Sequence, residues 1–200
     1  MKTAKKAFLT VESVIYVLFI LMDLKGLDST YVKYAGMVFC FLYCLMGKYN
    51  YMKAAMFFTL LADFFLLVLN DHYLIGVSSF IVVQMVYCLY LYTRSCSTYL
   101  PVRAVIYAVL LVAMYLKGEL DLFNAAVLFY FMNLTMNFIS SLSGDVSGLY
   151  SIGLFLFVLC DICVGLHNLL PAGKPYDIAT FLMWVFYLPS QVLISIHDDK

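Results

Sequence analysis

The sequence predicts an all-α, polytopic integral membrane protein of about eight transmembrane helices, and three observations carry that prediction. Hydrophobic residues make up 65% of the 200 residues and charged residues only 12%, with a mean hydropathy of +0.96. A soluble domain needs roughly a quarter of its residues charged to cover its surface, so the surface of this chain must face lipid. Apolar stretches long enough to cross a hydrocarbon core of about 30 Å recur along the chain. The runs are continuous rather than strictly alternating, which favours helices over a barrel.

The predicted spans cover 7–22, 31–47, 52–69, 73–93, 100–116, 121–140, 149–169 and 176–196. The first follows Lys2, Lys5 and Lys6 and resembles a signal peptide, but the polar stretch after it offers no small-x-small cleavage site, so a retained span is expected. Short polar punctuation separates the rest: Asp23–Thr30, Gly47–Tyr51, Asn70–His72, Thr93–Thr98, Lys117–Glu119, Ser141–Ser147 and Pro171–Pro175. The chain therefore reads as a single transmembrane domain over 1–200.

An even number of spans puts both termini on one side. With the N-terminus inside, inner segments hold eight basic residues (Lys2, Lys5, Lys6, Lys48, Lys53, Arg94, Arg103, Lys200) and outer segments four (Lys25, Lys33, Lys117, Lys174). That excess predicts cytoplasmic N- and C-termini, in the plasma membrane.

An internal repeat organises the spans. Phe57-Phe-Thr-Leu-Leu-Ala-Asp63 aligns with Phe155-Leu-Phe-Val-Leu-Cys-Asp161, each with Phe six residues before the Asp and Asn seven after it (Asn70, Asn168). In the spans that follow, Gln84 stands four residues after Phe80 and Gln191 four after Tyr187. The spacing predicts two parallel four-helix repeats, about 1–93 and 94–200, related by an axis along the membrane normal.

Asp63 and Asp161 are the candidate catalytic residues. Each lies roughly 16–18 Å into its span, near the midplane. An ionisable group there costs several kcal/mol on insertion and faces the bundle interior or a wet cavity. A purely structural hydrogen-bonding role for the two carboxylates is the competing reading. Gln84, Tyr87, Tyr130, Asn133, Asn137, Tyr187 and Gln191 are the candidate substrate-binding residues. Each alone is as readily a helix–helix hydrogen bond as a ligand contact, but together they predict a polar cavity between the repeats. Glu12, near the start of span one, reads as structural and able to reach the inner headgroups. The sequon Asn133-Leu-Thr135 falls inside a span and is discarded.

Other chemistries find little support. The formal net charge is zero, and no basic run tracks phosphates, so nucleic acid is not an expected partner. The six cysteines lie mostly in apolar runs, where Cys packs as a small hydrophobe; the Cys160-x-x-Cys163 spacing reads the same way. Three histidines, His72, His167 and His197, are too dispersed for a midplane zinc site, and no metal or cofactor is expected. There is no Gly-x-Ser-x-Gly elbow. What remains is a carboxylate pair suited to proton donation followed by stabilisation of an oxocarbenium ion, as glycosidases use their two carboxylates.

The stretch Ala54–Tyr92, with Ala62-Asp63-Phe-Phe-Leu, Tyr73-Leu-Ile-Gly76 and Phe80-x3-Gln84-x2-Tyr87, resembles the YhhN-like lysoplasmalogenase family. Gly153-Leu-Phe-Leu-Phe-Val-Leu-Cys-Asp161 followed by Tyr187-Leu-Pro-Ser-Gln191 resembles that family's second signature, and Lys33-Tyr34 its Lys-Pro. The resemblance implies a membrane hydrolase that cleaves the vinyl ether bond of lysoplasmalogens to a fatty aldehyde and a glycerophospho-alcohol. It also implies that Asp63 and Asp161 form the catalytic pair, with a vinyl-ether lysophospholipid and membrane lipid as partners. This chain departs from the pattern at Ala62 (Gly in the family), Cys160 (Ser) and Gln84 (His); a Gln hydrogen-bonds but does not titrate. A small proton-coupled or lipid transporter, or a catalytically inactive lipid-binding relative, stands as the alternative.

Overall fold

In the computed structural model, which describes residues 2–197, the chain forms eight helices. They are α1 (Lys2–Leu24), α2 (Thr30–Leu45), α3 (Asn50–Asp63), α4 (Tyr73–Thr93), α5 (Leu100–Lys117), α6 (Leu122–Ser141), α7 (Gly148–Leu169) and α8 (Lys174–Ile196). Lys200, which enters the charge count above, lies outside the described residues. Seven of these stretches are long and apolar enough to cross a membrane, α3 counting together with the turn that continues it to Leu69; α2, with 16 residues, is a shorter apolar helix. Exposed faces fit a lipid solvent: α5 presents Val105, Val109, Val112 and Leu116 outward at helical spacing.

Local chemistry explains most boundaries. Pro101 sits in the first turn of α5, where its missing N–H costs nothing, and Gly118 closes the helix with φ +73°. Asp121 caps α6 by accepting the Asn124 backbone N–H at 2.7 Å. One feature departs from the expected regular span. Directly after Asp63, α3 widens into a π-helical turn, Phe64–Leu69, which ends at Asn70 in the left-handed conformation (φ +49°). Such widened turns are rare and concentrate at functional sites.

The chain divides into two compact units. One comprises α1, α2, α7 and α8 (Met1–Tyr49 and Ser147–Lys200); the other comprises α3 to α6 (Asn50–Val146). Neither coincides with a sequence half. Each unit joins one helical hairpin from the first half to one from the second. In one unit α3 packs on α4, α4 on α6 and α5 on α6; in the other α7 packs on α8, and α1 and α2 pack on each other and on α8. Within each unit the core is apolar side chains, Met56, Val83 and Leu134 in one and Phe19, Leu154 and Ile194 in the other.

Glycines set the closest approaches. A Cβ on Gly76 of α4 would lie 2.5 Å from Leu66 Cγ, so this glycine makes room for the π turn. A Cβ on Gly153 of α7 would lie 3.0 Å from the Ser190 carbonyl oxygen of α8. Pro189 inside α8 removes the backbone N–H that would have bonded to the Val185 carbonyl. The Tyr16 hydroxyl, from α1, donates to that carbonyl instead at 3.2 Å.

Candidate functional site

Asp63 and Asp161 each stand thirteen residues past the first residue of their helix, α3 and α7. Their surroundings differ. Asp63 is buried at 4% exposure and is the last α-helical residue before the π turn, whereas Asp161 lies within an unbroken α-helix. Asp161 is half-buried, with its Oδ2 fully enclosed.

In the α3–α6 unit, Asn133 and Asn137 bond to a cation, Arg103, that the sequence expects only to bias the topology, and Asn137 links it to Gln84. Arg103, the fourth residue of α5, is 4% exposed. Its Nε donates to the Thr98 carbonyl at 2.7 Å and its Nη1 to Asn133 Oδ1 at 3.0 Å. Its Nη2 donates to Asn137 Oδ1 at 2.9 Å and to Ser140 Oγ at 3.2 Å. All four acceptors are neutral, and no acidic side chain forms an ion pair with Arg103 among the described residues. Asn137 in turn donates through Nδ2 to Gln84, reaching its backbone oxygen at 2.9 Å and its Oε1 at 3.0 Å. Gln84 is fully buried, and its Nε2 has no hydrogen-bond partner among the described residues. Tyr87 is fully buried one turn below Gln84 on α4, and Tyr130 stacks on Phe80 with ring centroids 5.3 Å apart. Polar groups from both sequence halves thus converge inside one unit.

The other unit holds Asp161, Tyr187 and Gln191. Tyr187 packs edge-on against Phe157 and Trp184, at 5.5 and 5.2 Å. Gln191 is fully buried; its Nε2 reaches Ser190 Oγ at 3.3 Å and its Oε1 has no partner among the described residues. Both glutamines that the repeat aligns are therefore buried with one amide atom uncommitted. Glu12 does not reach toward headgroups as expected. It is 3% exposed in α1, its Oε1 accepting the Cys40 thiol at 3.7 Å and its Oε2 facing Gly36 of α2 with no hydrogen-bond partner among the described residues. The longer α1, which begins at Lys2 rather than near residue 7, places Glu12 a turn deeper than the sequence reading did.

Arg103 was legible in principle. Asn133, Asn137 and Ser140 share one face of α6 at helical spacing, a row of polar groups able to converge on one partner. The π turn leaves no such signature in Phe64–Leu69, which reads as plain apolar span. No group of three or more His, Cys, Asp or Glu side chains forms a metal site among the described residues. His72 instead sits beside Asp71 at an exposed turn, and His167 Nδ1 lies 2.7 Å from Thr180 Oγ1. A groove lined by Leu9, Ser13, Val17 and Leu21 on the outer face of α1 holds none of the candidate residues.

The family model described as the YhhN family matches residues 28–197, a stretch that includes both aspartates, Arg103 and both buried glutamines. Nothing matches the chain among curated proteins or among solved structures. With that match over most of its length, this helical membrane protein belongs to the YhhN family.

Proposed function

We propose that the protein is an intramembrane hydrolase that cleaves the vinyl ether bond of lysoplasmalogens, with Asp63 and Asp161 supplying the acid and the base. The observation that carries the reading is the family match, which spans both aspartate-bearing helices. The burial of Asp63 beside the π turn, an unusual place for a carboxylate in an apolar helix, supports it.

The chemistry follows from the bond. A vinyl ether is nucleophilic at its β-carbon, so one protonated carboxyl delivers a proton there and leaves an oxocarbenium ion at the α-carbon. The other carboxylate stabilises that cation and takes a proton from the attacking water. The hemiacetal collapses to a fatty aldehyde and a free glycerol hydroxyl, consuming one water overall. Neither step needs a metal or an organic cofactor. Gln84, Gln191 and the tyrosines serve to hold the lipid and water. The protein would act in the plasma membrane; the excess of basic residues in the inner segments favours cytoplasmic termini.

Incubating the purified protein with lysoplasmalogen in deuterated water tests the reaction. The expected product is a fatty aldehyde carrying one deuterium at carbon 2, the former β-carbon, detected by mass spectrometry. Lipid moved across a liposome bilayer with no covalent change would refute hydrolysis and favour the transporter alternative.

A further inference from the structure

Arg103, Asn137 and Gln84 form a chain of hydrogen bonds whose direction is set at one end. A guanidinium has five N–H donors and no acceptor. The Asn137 atom facing Arg103 Nη2 at 2.9 Å must therefore be the carbonyl oxygen. That choice turns the Asn137 NH₂ group toward Gln84, where it meets the backbone oxygen and the side-chain Oε1 at 2.9 and 3.0 Å. An NH₂ group can only donate, so the Gln84 atom facing it must be the oxygen. The Gln84 Nε2 is left facing away, fully buried and without a partner among the described residues. An amide ordinarily chooses its own flip by the local network. Here one irreversible donor, two links away, chooses it.

Asn133 and Asn137 each have both amide atoms engaged within the protein. Asn133 Nδ2 donates to the Phe129 carbonyl at 2.8 Å while its oxygen serves Arg103, and both ends of Asn137 are used. The uncommitted group of the cluster is the Gln84 N–H. A buried donor with no acceptor is costly unless something supplies one. The uncompensated positive charge of Arg103 at the head of the chain polarises each link in the same sense, making that N–H a better donor.

We propose that Arg103 is a positioning residue that, through Asn137, locks Gln84 as a hydrogen-bond donor to an acceptor oxygen of the bound lysolipid. This rests on the reading of the site as a lysolipid site. It assigns Asn133 and Asn137 to the scaffold and Gln84 to the ligand. The acceptor is an oxygen of the lipid's phosphodiester, which accepts and never donates; a glycerol hydroxyl would bond to either end of the Gln84 amide.

The variant Asn137→Asp separates this account from a structural role. A carboxylate at 137 pairs with Arg103 at least as well as the amide does, but it cannot donate to Gln84. Gln84 then flips, donating to Asp and presenting its oxygen where the N–H had been. Binding is measured in detergent with lysophosphatidylcholine, whose ester-linked chain is no vinyl ether, by displacement of a fluorescent lysolipid. The account predicts a folded protein, its Arg103–Asp pair gained at the cost of a carboxylate oxygen facing the Gln84 backbone oxygen, and binding weakened about tenfold, the loss of one good hydrogen bond to a polar ligand. Unchanged binding in a stable Asn137→Asp protein would overturn it. Should that variant fail to fold, Gln84→Met, which keeps the volume and removes the donor, must show the same weakening. Gln84→His, whose ring accepts on one nitrogen and donates from the other, must retain binding within about threefold. Normal binding by Gln84→Met would overturn the proposal as well. A monoacylglycerol, which lacks the phosphodiester, must bind wild type and Asn137→Asp equally; a difference of about tenfold with that probe as well would overturn the assignment of the oxygen. The probe has no vinyl ether, so a protein that releases no aldehyde refutes the proposed reaction and leaves this test standing.

Discussion

Two glycines on one helix should respond to the same substitution with opposite signs. At Gly153 a new Cβ would lie 2.8 Å from Ile194 Cγ1, 3.0 Å from the Ser190 carbonyl oxygen and 3.2 Å from the Ile194 nitrogen. Two of those three atoms are backbone of α8, so rotating a side chain cannot clear them. The helices must part by about 0.5 Å to restore ordinary contact distances. Overpacking of this kind costs about 1–3 kcal/mol, against a gain of about 1 kcal/mol for replacing glycine by alanine within a helix. Gly153→Ala should therefore be about 0–2 kcal/mol less stable than wild type. Gly165, three turns along α7, has nothing within 4 Å of its would-be Cβ. Gly165→Ala should keep the propensity gain, up to about 1 kcal/mol. Reversible unfolding in mixed detergent and dodecyl sulfate measures both. Because Gly153 sits where α7 meets α8, its substitution should also lower lipid hydrolysis by more than the stability loss explains, through Asp161 and Gln191. A Gly153→Ala protein as stable as Gly165→Ala would refute the packing argument.

Other consequences are as specific. Tyr16→Phe leaves the Val185 carbonyl without its 3.2 Å donor and should cost about 0.5–1.5 kcal/mol; in a Pro189→Ala background, where the helix supplies its own N–H, unfolding measurements should show that cost vanish. Gly76→Ala would place a Cβ 2.5 Å from Leu66 Cγ, pushing on the π turn that follows Asp63. Aldehyde release should fall severalfold while the unfolding midpoint, set by a side chain that can give way, shifts little. Burial, and secondarily the carboxylate of Asp145, push the Cys96 thiol above its ordinary range in the polar segment between α4 and α5. A raised thiol stays neutral through neutral pH and ionises only as pH climbs past the range of a free cysteine. Iodoacetamide labelling of Cys96, followed by mass spectrometry, should therefore be slower than that of a free thiol at pH 8 and rise steeply above it. Equal rates at pH 8 would contradict the burial.

Helix number and placement were legible because insertion into lipid imposes one dominant rule. Each apolar run must satisfy its own backbone, and polar punctuation such as Asn70–His72 must end it. The predicted spans and observed helices agree to within a few residues, apart from the early start of α1. Asp63 and Asp161 stand at the same distance from the start of their helices, as the aligned sequence motifs predict. Which hairpins group into a compact unit was not legible, because apolar helix faces are nearly interchangeable in composition and partner choice is decided by shape, as at Gly153 and Gly76. The candidate site was half legible. Position alone singled out the aspartates and glutamines, since polar atoms in apolar runs are conspicuous. Arg103 escaped because it stands near a span end, where arginine is ordinary. Glu12 is buried rather than near the headgroups because α1 begins at Lys2, which apolar run length alone does not mark.

The central claim is that the two aspartates carry out vinyl-ether hydrolysis. Its most direct test is aldehyde release from lysoplasmalogen by purified wild type, Asp63→Asn and Asp161→Asn, each first shown to be folded by its unfolding midpoint. The account predicts release by wild type and a loss of at least about a hundredfold in each variant, the scale of a missing general acid or base. Undiminished release by either folded variant would contradict it.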